Sequence, residues 1–181
     1  MAKVLITGAT GFVGQEVVRH LRDLGHTLTG TTRDNRLHAG PENIPLHYVP
    51  NFSAEMDWSQ AVAGADVVIH LAARVHQIDD QASDPLSEYR RVNVEGTRSL
   101  ATAAAAAGVK RFVFLSSIKA NGQKTDGAAY SEEDAPTPVD AYGLSKWEAE
   151  QALTAIADKN DMGLVVLRSP LVYGPNVGGN F

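Results

Sequence analysis

Tyr142 and Lys146, four residues apart, are the side chains of this sequence best suited to proton transfer. They lie in a segment, 141–159, that has apolar residues at helical spacing and no internal proline, which predicts a helix. Residues four apart share one face of a helix, where the ammonium would lower the tyrosine's pKa from its free value of ~10. Such a tyrosine can exchange a proton with a sugar or alcohol oxygen near neutral pH. The pattern alone also fits a surface helix with a solvated lysine, so the rest of the chain must decide.

The composition is that of a globular protein, and it excludes several classes of function. The chain has 181 residues, 44% of them hydrophobic and 20% charged, which is enough for one full-sized core. Its net charge of -5 is not clustered and gives no reason to expect nucleic-acid or membrane partners. The absence of cysteine excludes disulfides, thiol nucleophiles and cysteine-ligated zinc, and no metal site is expected. No signal-peptide layout and no apolar stretch long enough to cross a bilayer is found, so a cytoplasmic location is expected.

The first turn of the chain has the pattern of a dinucleotide-binding site. An apolar segment, 4–7, predicts a buried parallel strand, and a glycine-rich turn then leads into a helical pattern that Gly25 ends. In this context Gly8 permits a tight turn, Gly11 lets the backbone approach a pyrophosphate, and Gly14 lets the helix pack closely on the strand. The N-terminus of the helix would offer free N–H groups to the phosphates. A tight turn with a purely structural purpose is the alternative.

The end of the second predicted strand, 27–32, bears on which dinucleotide binds. NAD sites usually carry a carboxylate there, which hydrogen-bonds the 2′-hydroxyl of the adenine ribose. In this chain Thr32 is followed by Arg33, and the acid, Asp34, comes one or two places late. An arginine at that place can pair with a 2′-phosphate, so NADP(H) is favoured. NAD(H) stays possible if Arg33 is solvated and Asp34 still reaches the ribose.

The remaining apolar segments alternate with helical ones. Further strands are predicted at 46–49, 66–73, 111–117 and 164–168, and further helices at 57–63 and 86–107. This alternation predicts an α/β fold of the Rossmann type, a doubly wound parallel sheet with helices on both faces. In such sheets the ligand lies beyond the carboxyl ends of the strands, which is where Ser116 and Ser117 are expected.

Two polar residues in these elements have two interpretations each. His70, near the end of the fourth strand, is expected to be a packed histidine rather than a catalytic one. Asn93, in the long predicted helix, is either a polar surface residue or a residue that orders Lys146 through water. The small residues that follow His70 suit a place where a cofactor presses on the backbone.

Six motifs together resemble those of the extended short-chain dehydrogenase/reductase family, in its NAD(P)-dependent epimerase/dehydratase branch. They occur in the family's order and span nearly the whole chain: TGATGFVG at 7–14, HLAA at 70–73, NVEGT at 93–97, LSS at 115–117, YGLSK at 142–146 and RSPLVYGP at 168–175. The resemblance implies Tyr142 as the acid/base and Ser117 as the hydrogen-bond partner of the reacting oxygen. It implies that Lys146 binds the nicotinamide ribose and lowers the tyrosine's pKa. The cofactor contacts that it implies are Gly8, Thr10, Gly11, Phe12, Val13, Gly14, Thr32, Arg33, Leu71, Ala72, Ala73, Asn93, Ser116, Tyr142, Lys146 and Pro170.

One departure from the family pattern narrows the expected reaction. Dehydratases of this branch carry an Asp-Glu pair just after the serine strand, where this chain has Ile118 and Lys119. The departure argues against 4,6-dehydration and leaves reduction or epimerisation at C4 of a nucleotide-activated sugar, a UDP-hexose or 4-keto-6-deoxyhexose. The preference for NADP(H) favours the reductase. The motifs look most like those of bacterial enzymes of surface-polysaccharide sugar synthesis.

A second departure is length. Family members continue well beyond this point with a C-terminal part that forms most of the nucleotide-sugar pocket. Residues 1–181 are therefore expected to be an NAD(P)-binding Rossmann domain that carries the Ser/Tyr/Lys set without that part. Family members commonly dimerise through two long helices, so a homodimer is expected. The alternatives are a reductase of a steroid- or flavonoid-like ketone, and a non-catalytic NAD(P)-binding fragment.

Overall fold

Within the residues that the structure describes, six parallel strands form one sheet. The structure is a computed structural model that describes residues 1–75, 83–125, 127–175 and 177. The strands are β1 (Lys3–Thr7), β2 (Thr27–Thr32), β3 (Leu46–Tyr48), β4 (Val67–His70), β5 (Arg111–Ser117) and β6 (Gly163–Ser169). Their order is β3-β2-β1-β4-β5-β6, and each neighbouring pair is parallel. The strand order reverses between β1 and β4, which confirms the predicted Rossmann-type doubly wound sheet.

Helices cover both faces of this sheet, as predicted. They are α1 (Phe12–Asp23), α2 (Ser59–Val62), α3 (Pro85–Tyr89), α4 (Gly96–Ala106) and α5 (Ala141–Asn160). Successive residues of a strand point to opposite faces, so β1 contributes to two separate cores. Leu5 packs with residues of α4 and α5, including Leu100 and Leu153. Val4 and Ile6 pack with α1 on the other face.

The long helix predicted at 86–107 is three consecutive segments in the structure. After α3, the six residues Arg90–Glu95 wind as a π-helix, and α4 begins at Gly96. Such wide turns are rare and are frequently found at functional sites. Asn93 lies in this turn and is 2% exposed, so the interpretation of Asn93 as a surface residue is wrong.

Other boundaries differ from prediction in ways that have simple local causes. β4 ends at His70, so Leu71 to Ala73 belong to the connection that follows it. Leu24 follows the last residue of α1 and is 60% exposed. Gly25 then adopts a φ of +80°, as expected of the residue that ends a helix.

The helix that carries Tyr142, α5, has a fixed starting point. The Asp140 side chain accepts a hydrogen bond from the Gly143 N–H at 2.6 Å and so caps the first turn. The helix then continues for 20 residues. Tyr142 therefore lies in the first turn of α5, and Lys146 lies one turn further along.

A buried ion pair joins α5 to the edge strand β6. Arg168 donates from Nη2 to Glu150 at 2.7 Å and from Nε to the same carboxylate at 3.1 Å. Ser116 of β5 donates a further, short hydrogen bond to Glu150, and Arg168 also donates to the Asn121 amide oxygen at 3.1 Å. Removing one partner of a buried pair typically costs about 3–5 kcal/mol, because the other charge stays behind without compensation. The network therefore holds α5 in one position over β5 and β6.

Two ionisable side chains, His70 and Lys146, are almost fully buried in the core beneath α5. His70 lies between the rings of Phe52 and Phe114, and burial lowers its pKa to about 3. Its Nδ1 and Nε2 form hydrogen bonds of 2.6 and 2.8 Å with threonine hydroxyls. This confirms the packed histidine. Burial also lowers the pKa of Lys146 to about 7, although the Glu150 charge opposes that shift.

The buried amine makes the stability of the chain depend on pH in a defined direction. The folded chain holds a Lys146 with a pKa of about 7 in place of the ordinary 10.5, so the charged form opposes folding at and below neutral pH. That penalty is relieved as the pH rises from about 7 towards 10.5. We expect Lys146→Met to raise the free energy of unfolding near pH 7 by an amount on the order of a few kcal/mol, and the gain to shrink towards high pH.

Urea unfolding at a series of pH values measures this difference. Lys159→Met is the matched control, because Lys159 lies on the same helix and is exposed. A Lys146→Met curve that runs parallel to that of the original chain at every pH would show that the amine is not held neutral in the core.

Candidate active site

The turn between β1 and α1 leaves room for backbone and for little else. Gly8 has a φ of +73°, a conformation that residues with a Cβ rarely adopt. A Cβ on Gly14 would lie 2.1 Å from the Gly8 carbonyl oxygen, so no side chain fits there. The Gly11 N–H donates to the same carbonyl at 3.0 Å and closes the turn. The predicted role of Gly14 in close packing is therefore visible in the geometry.

The N-terminus of α1 opens from this turn towards solvent. Among the described residues, no side chain caps the helix, so its first N–H groups can meet a ligand. Thr10 and Gly11 are exposed there, and Phe12 and Val13 are half-buried. An uncapped helix start behind a cradle of glycine backbone fits the pyrophosphate of a dinucleotide.

The connection after β4 lies directly against the glycine turn. A Cβ on Gly8 would approach the Ala72 nitrogen to 2.8 Å. The Thr7 hydroxyl accepts a hydrogen bond from that nitrogen at 3.3 Å. Leu71, Ala72 and Ala73 are half-buried. The residues that follow His70 therefore lie beside the glycine turn, where a cofactor was expected to meet them.

At the end of β2, Asp34 forms an ion pair that the sequence did not predict. The Asp34 carboxylate pairs with Arg36, with contacts of 2.9 and 2.8 Å to the guanidinium, and this pairing lowers the pKa of Asp34. Arg33 is exposed and follows the buried Thr32. The sequence pointed to Arg33 and Asp34 but not to Arg36, because Arg36 lies well beyond the end of β2.

The two serines at the end of β5 point to opposite faces and have different roles. Ser116 is buried, and its hydroxyl donates to Glu150, so only its backbone could meet a cofactor. Ser117 is half-buried and lies beside the Tyr142 phenol, an interaction that favours the phenolate. The structure thus brings Ser117 and Tyr142 together and turns Ser116 away from them. Pro170 follows β6 at the same edge of the sheet and is exposed.

The pKa of Tyr142 is raised from its ordinary value, in contrast to the expectation. Burial is the main cause, the Asp140 charge and Tyr89 act in the same direction, and Ser117 acts against them. The Lys146 ammonium does not face the phenol but lies 4.0 Å from the centre of the Phe114 ring. The expected lowering of the tyrosine's pKa by Lys146 is therefore not found in the protein alone. At neutral pH the phenol is protonated and can donate.

Asn93 and Tyr89 complete the surroundings of the phenol. The Asn93 amide bonds the Arg74 backbone at both its N–H and its carbonyl, at 2.8 and 3.0 Å. It also donates to the Ser145 hydroxyl at 3.0 Å. Asn93 thereby ties the connection after β4 to α5. The Tyr89 ring lies edge-on to Tyr142, with the centroids 5.9 Å apart, and no sequence signal pointed to it.

The described residues show neither a metal cluster nor a membrane-spanning helix. Among the described residues, no group of three or more histidine, cysteine, aspartate or glutamate side chains is placed to hold a metal ion. Within the same part of the chain, no helix is both long and apolar enough to cross a bilayer.

Comparison with known proteins gives consistent results. The chain is 41% identical over 179 residues to the UDP-glucose 4-epimerase of Vibrio cholerae, covering 98% of this chain and 54% of that protein. It is 31% identical over 199 residues to the dihydroflavonol 4-reductase of Hordeum vulgare, covering 95% and 53%. Its fold is similar to that of MoeE5 in complex with UDP-glucose and NAD, with a TM-score of 0.73 and 31% identity, covering 91% and 52%. The chain spans about half the length of the curated relatives it matches.

The family assignment rests on nearly the whole chain. Residues 4–181 match the family model described as "NAD dependent epimerase/dehydratase family". The glycine cradle, the parallel sheet and the tyrosine-lysine helix all lie within that match. The chain belongs to the NAD dependent epimerase/dehydratase family.

Proposed function

We propose that this chain carries the cofactor-binding and acid/base part of an enzyme that acts at C4 of a nucleotide-activated sugar. The observation that carries the proposal is the position of Tyr142, beside Ser117 and one helical turn before the buried Lys146. All three lie at the carboxyl edge of the sheet, where ligands of such folds bind. The similarity to a protein named UDP-glucose 4-epimerase supports the sugar and its C4 position.

The residues of the cleft fit a nicotinamide dinucleotide. The glycine cradle and the uncapped start of α1 would hold the pyrophosphate. The wall formed by Leu71, Ala72 and Ala73 would pack against it, and Lys146 would hold the nicotinamide ribose. When bound, such a cofactor accepts or supplies the hydride that changes the oxidation state of the sugar carbon.

Tyr142 would move the proton that accompanies this change. Its raised pKa keeps the phenol protonated at neutral pH, which suits donation to a ketone oxygen at C4. In the opposite direction it must first lose its proton, and the Ser117 hydroxyl beside it favours the phenolate. Ser117 would also hydrogen-bond the reacting oxygen and so align it with the phenol.

Two outcomes of this chemistry, epimerisation and reduction, are each supported by a relative. An epimerase returns the hydride to the same sugar, whereas a reductase consumes one reduced cofactor for each product. The Vibrio cholerae relative is named UDP-glucose 4-epimerase, and the Hordeum vulgare relative is named dihydroflavonol 4-reductase. Incubation with NAD and UDP-glucose tests the first outcome: C4 epimer without net nicotinamide reduction indicates an epimerase. Net oxidation of NAD(P)H by a 4-keto sugar indicates a reductase.

The remaining parts of the proposal concern regions outside the cleft. Relatives are about twice as long, so we propose that most of the sugar pocket lies beyond residues 1–181. Exposed apolar residues after and along β6, including Leu167, Leu171 and Tyr173, support a covering segment there.

The grooves beside α4 and α5, lined by alanines and Arg98, support a homodimer through these helices. A cytoplasmic enzyme of surface-polysaccharide synthesis stays part of the proposal.

Tyr142→Phe tests the acid/base assignment. We expect it to leave the affinity for NAD(P)H within about two-fold and to slow hydride transfer to the sugar by roughly 10²–10⁴-fold, the usual contribution of a positioned acid/base group. Nicotinamide absorbance measures the transfer, and nicotinamide fluorescence measures the binding. Tyr48→Phe, at an exposed position on β3, is the matched control. Unchanged transfer in Tyr142→Phe would remove the phenol from the mechanism.

Arg33→Gln tests the preference for NADP(H). Asp34 is held by Arg36, which leaves the exposed Arg33 as the cation available to a 2′-phosphate. We expect the substitution to weaken NADPH binding by about 10–100-fold, as for other charge-assisted pairs, and to leave NADH binding nearly unchanged. Arg111→Gln serves as control, because Arg111 begins β5 and so lies at the sheet edge opposite to the strand ends. Equal NADPH affinity before and after the change, or tighter binding of NADH by the original chain, would contradict the preference.

A further inference from the structure

The turn after Ser117 is joined to the start of α5 by an ion pair. The Lys119 ammonium lies 2.6 Å from Oδ2 of Asp140. The other carboxylate oxygen of Asp140 accepts the Gly143 N–H, also at 2.6 Å. One carboxylate therefore caps the helix that carries Tyr142 and holds the turn that carries Ser117.

Close backbone packing supports the same contact. A Cβ on Gly143 would lie 2.5 Å from the Lys119 carbonyl oxygen, so the turn and the helix touch where only a glycine fits. The Lys119 N–H donates to the Ser117 hydroxyl at 3.2 Å. Lys119 thus contacts Ser117 through its backbone and Asp140 through its side chain.

The charged and titratable groups around the phenol show what the ion pair can do. Asp140 lies at the start of its own helix, Ser117 lies at the end of β5, and Tyr89 approaches from α3. Lys146 lies on the same helix but faces Phe114. Asp140 is the charged group that opposes ionisation of the phenol. The ammonium of Lys119 forms an ion pair with that carboxylate.

We propose that Lys119 is a positioning residue for proton transfer by Tyr142: it fixes the Asp140 carboxylate at the start of α5 and offsets its negative charge beside the phenol. The inference rests on the proposed acid/base function of Tyr142.

The partial exposure of the pair separates this role from a general stabilising one. The side chains of Lys119 and Asp140 are 40% and 35% exposed. Ion pairs with this exposure contribute little to folding, because solvent screens them. Loss of Lys119 is therefore not expected to unfold the chain, so an effect on Tyr142 can be measured in the folded variant.

The test is a titration of Tyr142 in the 181-residue chain with ¹³C at the phenolic carbon of tyrosine. The Tyr142 signal is identified by its loss in Tyr142→Phe. We expect Lys119→Met to raise the midpoint of the Tyr142 titration by about 0.3–0.7 pH unit, because the Asp140 charge is no longer offset. Asp140→Asn, which keeps a good helix cap, should lower the midpoint. Lys119→Arg should leave it at or below the original value, since arginine stays charged at alkaline pH.

Opposite shifts from the two halves of one ion pair are the result that a merely structural contact would not give. Lys159→Met, at the far end of α5, should leave the midpoint unchanged. Shifts of the same sign in Lys119→Met and Asp140→Asn would overturn the proposal. So would a signal that moves in none of the variants up to the highest pH at which the chain stays folded.

The titration does not depend on turnover, so it fails or succeeds separately from the proposed function. If the opposite shifts appear but no sugar is converted, the ion pair is as inferred and the enzymatic proposal is wrong. If the sugar is converted and the midpoints do not move, Lys119 has no part in the proton transfer.

Discussion

The buried ion pair between Glu150 of α5 and Arg168 of β6 fixes the helix that carries the acid/base residues. A doubly wound sheet by itself leaves a helix free to slide or rotate over its strands, because apolar packing is not directional. Three directed contacts remove that freedom: the hydrogen bonds from Arg168 to Glu150, the hydrogen bond from Ser116 to Glu150 and the ion pair between Lys119 and Asp140 at the first turn. Once α5 is held in this way, Tyr142 must face the cleft and Lys146 must enter the core.

The position of Lys146 shows what this constraint costs. An ammonium that is 1% exposed, against the face of an aromatic ring, is stabilised by cation–π attraction but loses its hydration. The pKa of Lys146 is lowered because the lost hydration outweighs this attraction. Strongly shifted pKa values of this kind cluster at functional sites, which supports the role proposed for Lys146.

The sequence predicted the fold and the glycine turn because their determinants are local. The strand, the glycine turn and the helix at the N-terminus follow from residue types at fixed spacing, and Gly14 has no alternative at a distance of 2.1 Å. The strand–turn–helix start could therefore be predicted, and the family resemblance is confirmed by a match over residues 4–181.

The features that sequence reasoning missed depend on how distant side chains meet. A π-helix around Asn93 replaces part of a predicted regular helix, and within it the Asn93 amide forms hydrogen bonds with Arg74 and Ser145. Helical spacing predicted that Lys146 and Tyr142 share one helix face. It did not reveal that the Lys146 ammonium would lie over the Phe114 ring. The pairing of Lys119 with Asp140 joins residues on either side of a long loop, which no spacing rule connects.

If Tyr142 moves the proton that accompanies hydride transfer, bound NAD(P)H would bring its nicotinamide ring near this phenol. The most direct measurement is the nuclear Overhauser effect between the C4 protons of bound NAD(P)H and the ring protons of Tyr142, with Tyr142→Phe used for assignment. We expect a cross-peak to Tyr142, accompanied by contacts from the adenine half to the end of β2. Contacts from the adenine half alone, with no cross-peak between the nicotinamide protons and Tyr142, would show that Tyr142 does not lie at the reacting carbon.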